Sequence, residues 1–146
     1  KELETGLAQI PEDVPGGFSP AKTILQLADT VLSARIAEAQ GDHQAAIATW
    51  HKAMEMQDQL AYDEPPDWYY PVRESLGGAL LRAGQVDEAE KIFREDLLQN
   101  PRDGRSLYGL MMSLAAQKKT VDTEWARREF EEAWKNADTK LRVEDL

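Results

Sequence analysis

His43 and His51 are the only histidines in the chain, and their spacing of eight residues sets them about 80° apart around a helix. Two imidazoles that share a metal ion favour a spacing of four, so this pair does not read as a ligand set. Glu55 lies one turn beyond His51, yet a third ligand is missing from any regular spacing, and both read as surface polar groups. Cysteine is absent, which removes thiolate metal sites, disulfides and cysteine nucleophiles together. No Gly-x-Ser-x-Gly elbow, phosphate-binding glycine loop or dinucleotide fingerprint occurs, and Gly77-Gly78 reads as a close helix crossing. Serines and carboxylates are plentiful, but no spacing pairs a nucleophile with a base. The chain is therefore expected to be non-catalytic, with no metal and no cofactor.

Two other clusters invite a binding role. Tyr62, Trp68, Tyr69 and Tyr70 gather aromatic rings around Pro65-Pro66. They suit either a docking ledge or, more simply, a long loop packed onto neighbouring helices. Glu124, Arg127, Arg128, Glu129, Glu131 and Glu132 read as a solvated helix face laced by ion pairs three and four residues apart.

Charge narrows the partners. Lys and Arg number 17 against 27 Asp and Glu, a formal charge of −10 over 146 residues. A chain this acidic, with no basic run, repels phosphates, so nucleic acid and anionic membrane surfaces are disfavoured. No apolar run approaches the roughly 20 residues that would span a bilayer, so no membrane insertion is expected in this segment. The length suits one domain, and hydrophobic residues at 42% suffice for a core. The chain starts at Lys1, with no leader ahead of it, and reads as part of a longer protein. The compartment stays open between the cytoplasm and an exported location.

The elements that must position these groups are helices. Pro11, Pro15, Gly16-Gly17 and Pro20 interrupt residues 1–20 too often for a regular element, which predicts an extended lead-in. Ser19-Pro20 reads as an N-cap with proline at the first helical position. Ile24, Leu27, Val31 and Ala34 then carry a helix to about Gln40. Gly41-Asp42 closes it and caps a second helix from about His43 to Leu60. Further helices are predicted over about Pro71–Ala83, Asp87–Gln99 and, after Asn100-Pro101, on the stripes Leu107–Ala115 and Ala126–Ala137. No segment alternates with the period of two that strands require.

The second helix of each pair carries one string, Ala-x-x-x-aromatic-x-x-small: Ala46, Trp50, Ala53; Ala89, Phe93, Asp96; Ala126, Phe130, Ala133. The offsets of 43 and 37 residues equal a period of 34 plus loop insertions of nine and three, in the 62–70 and 117–122 regions. Small residues let two helices approach closely, and Trp50, Phe93 and Phe130 are expected to fill the gaps beside them.

On these residues the chain resembles the tetratricopeptide repeat family, whose unit is a 34-residue helix–turn–helix. The middle repeat matches best, with Leu76-Gly77, the turn glycine Gly84, Ala89, Phe93 and Pro101. The first keeps Gly41, Ala46, Trp50 and Ala53, with Ser33-Ala34 for Leu-Gly; the third has Met111 for the glycine and no turn glycine. The family's first-helix tryptophan is replaced by Thr30, Arg73 and Leu107. The wording from Tyr62 to Gly77 is also similar to the C-terminal repeats of bacterial members for which no activity is established. The resemblance implies an all-α, right-handed solenoid of three repeats and about six helices, at about 21–60, 68–101 and 103–138, followed by a tail over 139–146.

It also implies a concave groove lined by the first helices. Carried over position by position, that groove holds Arg35 and Glu38 from the first repeat, Glu74 and Arg82 from the second, and Arg105, Tyr108 and Met112 from the third, with Ser75 and Gly109 beside them. The clamp with which the chaperone-binding branch holds a terminal carboxylate is not expected, because Val31, Arg35, Glu74 and Gly78 occupy its positions. The function implied is a protein-interaction module for a peptide or partner helix, within a larger protein. The alternative is self-association as a homo-oligomer, or a scaffolding segment of a longer enzyme or assembly factor.

Overall fold

The computed structural model describes residues 2–7, 9–11 and 14–146, and among them the chain is all-helical. Helices run over Glu2–Leu7 (α1), Ala21–Ala39 (α2), His43–Asp58 (α3), Val72–Arg82 (α4), Val86–Gln99 (α5), Gly104–Ala116 (α6) and Thr120–Trp134 (α7), with a 3-10 turn at Val143–Asp145. Extended pairing among the described residues is a single isolated bridge, Pro15 to Pro20. The chain divides into two compact units, Lys1–Val72 and Arg73–Leu146.

Three turns, α2–α3, α4–α5 and α6–α7, close in the same way. In the first, Gly41 takes φ +74°, its N–H donates to Glu38 O at 2.9 Å, and the Asp42 N–H donates to Ala37 O at 3.0 Å. Gly84 takes φ +76° with the same pair of bonds, to Leu81 O at 3.0 Å and from Gln85 to Leu80 O at 2.9 Å. The third turn has no glycine, and Lys118 takes φ +60° instead, with 3.0 Å bonds from Lys118 to Ala115 O and from Lys119 to Leu114 O. Each turn satisfies helix-end carbonyls that would otherwise lack partners. Asp42 caps α3 as the sequence predicts, accepting the Ala45 N–H at 3.0 Å, and Asp103 caps α6 by accepting the Ser106 N–H at 2.8 Å.

In the first unit α2 packs on α3 through Leu27, Thr30 and Ala34 against Ala46, Ile47, Trp50 and Ala53, all buried. Two expectations are corrected here. A short helix, α1, forms within the stretch predicted as an extended lead-in, of which residues 1, 8, 12 and 13 lie outside the described residues. Ser19 is not the N-cap: Pro20 holds that place with φ −62° and ψ 137°, and Ser19 ties down the long loop instead. Its hydroxyl accepts the Ala61 N–H at 3.1 Å, and its N–H donates to Asp67 Oδ2 at 3.0 Å. A serine beside a proline fits both uses, and the loop 42–48 residues away decides between them.

In the second unit the Phe93 ring of α5 is fully buried between two helices. A Cβ placed on Gly77 of α4 would stand 2.5 Å from its Cζ, and one on Gly109 of α6 only 2.1 Å. The small residue that α6 needs is therefore Gly109, and the groove position carried over for it is corrected. Phe130 also departs from expectation. It is half-buried, stacked on Trp134 at 6.0 Å and tilted on Tyr108 at 5.4 Å, because α7 has a covered face toward α6 and an open one beyond. Glu90 of α5 holds the last turn in place, accepting from Gln117 Nε2 at 2.8 Å and Lys119 Nζ at 2.7 Å.

Candidate functional site

Four of the seven predicted groove residues come together in the second unit. Arg105 Nε donates to Glu74 Oε2 at 2.7 Å, joining α6 to α4. Arg82 sits two turns beyond Glu74 on α4, and Tyr108 about one turn beyond Arg105 on α6. Met112, one turn further, is half-buried. Ser75, also carried over as groove-lining, is buried.

This face is covered by the segment predicted to be a plain tail. Arg82 Nη1 donates to the Val143 carbonyl at 2.9 Å, and Arg105 Nη2 donates to the Asp145 carbonyl. Leu146 is 1% exposed and lies over Gly78, where an added Cβ would come within 2.7 Å of the leucine Cβ. The segment is held in a tight turn by its own contacts. Arg142 N–H, Nε and Nη2 all donate to the Asp145 carboxylate, at 2.9, 3.1 and 2.8 Å, and the Asp145 N–H returns to Arg142 O at 3.0 Å. No sequence signal of helical period marked these residues, because a four-residue turn has none.

The electrostatics follow from burial. Glu74 is pushed up to about 7, first by burial and then by the nearby Asp103, while Arg105 pulls it down and Asp96 adds a smaller upward push. Asp96 stands in the small-residue position of the repeat string and is fully buried. Burial raises its carboxyl against the opposing hydrogen bonds, in which Ser106 Oγ donates at 2.6 Å and Asn100 Nδ2 at 2.9 Å. Tyr108 is raised by burial and by the acidic Glu144 and Asp145 of the covering segment. The face thus carries two arginine donors, a carboxyl that titrates near neutrality, and a glycine floor that admits one apolar side chain.

Arg35 and Glu38 belong to the first unit. They form an ion pair at 3.4 Å, and the Arg35 guanidinium lies 4.9 Å from the centroid of the Trp50 ring. In the same unit, Trp68 packs against Tyr69 and Tyr70 with centroids 5.6 and 5.8 Å apart, while Tyr62 and Tyr69 are 81% and 84% exposed. Gln57 anchors the end of that loop, with Nε2 donating to Tyr70 O at 2.9 Å and Oε1 accepting the Val72 N–H at 2.7 Å. Among the described residues no cluster of three or more His, Asp or Glu side chains forms with metal-binding geometry, and no helix is long and apolar enough to cross a membrane.

Comparison with protein-family models, with curated proteins and with solved structures gives no match.

Proposed function

We propose that the chain is a non-catalytic protein-interaction module of the tetratricopeptide-repeat kind, three helix–turn–helix units wound as a right-handed solenoid. Its binding face would be the one built by α4 and α6. The repeat reading is supported by the shared turn at Gly41, Gly84 and Lys118 and by the aromatic seated against glycines at Phe93. The observation that carries the binding reading is the convergence of Arg82 and Arg105 on main-chain carbonyls of a short segment. Donors aimed at backbone oxygens grip a short segment through its main chain, and neighbouring pockets then select its side chains. Arg82 and Arg105 favour acidic partners, and Tyr108 and Met112 offer apolar contact.

A random-peptide display against the intact chain tests this. Peptides selected by the unaltered protein are expected to lose binding to a Tyr108→Ala, Arg82→Glu double variant that keeps its helical circular dichroism. Undiminished binding refutes the assignment of the face. Self-association is favoured by one observation, the exposure of Val121 and Trp125, one turn apart on α7, at 83% and 50%. A dimer in sedimentation that Trp125→Glu dissociates would support it.

A further inference from the structure

The segment lying on α4 and α6 indicates both what this face selects and how access to it is controlled. We infer that residues 142–146 are an internal competitor, and that the partner displacing them is a short acidic turn followed by a leucine-sized apolar side chain. The inference rests on the binding reading above.

Three features separate this contact from a tail lying loosely on a surface. Arg82 and Arg105, from different helices, each donate to a carbonyl of the segment, at Val143 and Asp145. Leu146 is 1% exposed, and its place exists only because Gly78 lacks a side chain. The turn is braced within itself by the Arg142–Asp145 ion pair at 2.8 Å, and a segment that holds its own shape has a lower ordering cost on docking. The Asp145 carboxyl is held low, first by its hydrogen bonds from Arg142 and last by the charge of Arg105, so an acid on the segment meets a favourable arginine of the face.

Residues 135–142 form the connection from α7, with no helix of their own. A connection this short gives its segment an effective concentration on the order of millimolar at the face, so a partner must outcompete it. If the segment occupies the face about nine-tenths of the time, a partner's apparent affinity falls about tenfold.

The test uses a fluorescent peptide of the sequence 140–146, amidated at its end, titrated by anisotropy into the unaltered chain and into Leu146→Asp. The variant is expected to bind at least about tenfold more tightly, and adding Gly78→Leu to it should abolish the gain. A second variant, Arg142→Ala, loosens the turn without touching the face and should give an intermediate gain. A peptide with Asp in place of its final Leu should not bind. Equal binding by the unaltered and variant chains overturns the competitor. So does sedimentation showing that the segment docks on a second copy, with dimers that Leu146→Asp dissolves. If this peptide fails on both variants while displayed peptides bind through Arg82 and Tyr108, the inference falls and the binding reading stands. If no peptide of either source binds, both fall.

Discussion

The wedge of Phe93 between two glycines makes a quantitative prediction about Gly109. An added methyl at Gly109 would stand 2.1 Å from Phe93 Cζ, where carbon atoms prefer roughly 3.5–4.0 Å. The ring has little room to back away, since it already fills the space at Gly77 that a Cβ there would occupy, 2.5 Å from the same atom. Overpacking of this kind costs about 1–3 kcal/mol, and the double confinement places it near the upper end. Against it stands the helix-propensity gain of Gly→Ala, about 1 kcal/mol. Gly109→Ala should therefore destabilise by about 2 kcal/mol. In a Phe93→Leu background the ring edge is gone, and the same substitution should be neutral or stabilise by up to about 1 kcal/mol. The coupling in a double-mutant cycle is thus expected at about 2–3 kcal/mol, read from urea unfolding followed by circular dichroism. Phe93→Ala alone should cost about 3–5 kcal/mol. Additivity of Gly109→Ala and Phe93→Leu within about 0.5 kcal/mol would refute the wedge.

Three further substitutions probe the elements around it. Glu74 titrates near 7 when folded, against an ordinary value of 4.5, facing Arg105 at 2.7 Å with Asp96 and Asp103 behind. The folded state holds the proton longer, so the stabilising contribution is complete below about pH 4.5 and lost as pH rises through about 7. The shift of 7 − 4.5 units corresponds to about 3 kcal/mol, so Glu74→Gln should flatten the fall in stability between pH 5 and 8; an unchanged slope in urea titrations at several pH values would count against it. Lys118→Gly removes a non-glycine residue from φ +60° and should stabilise by about 0.5–1 kcal/mol, whereas Gly84→Lys at the matching turn should destabilise. Thermal melts of the two variants moving in the same direction would break the equivalence of the turns.

Helix identity was legible because it rests on local chemistry. The period of Ile24, Leu27, Val31 and Ala34, the cap at Asp42 and the glycines at 41 and 84 each act within a few residues, and α2 to α5 begin and end within about two residues of their predicted bounds, whereas α6 and α7 start at Gly104 and Thr120, ahead of the stripes at Leu107 and Ala126 that marked them. The Ala–aromatic string likewise located Trp50 and Phe93 in the interior. The string could not show that Asp96, in its small-residue slot, would be buried with Ser106 as a partner, since that bond depends on α6 approaching α5, while the Asn100 bond is local to the end of α5.

What the sequence determined by itself is the helical alphabet of α2 to α7: which stretches wind and which face of each is apolar. Only the tertiary structure decided what those faces meet. Gly109 rather than Met111 admits the Phe93 ring, Ser19 holds a loop rather than capping a helix, and Val143–Leu146 cover the face that Glu74, Arg82, Arg105 and Tyr108 build. The physical reason is range. Caps and periodicity are set by neighbours along the chain, whereas Arg82 and Val143 are 61 residues apart and meet only after the helices between them have packed.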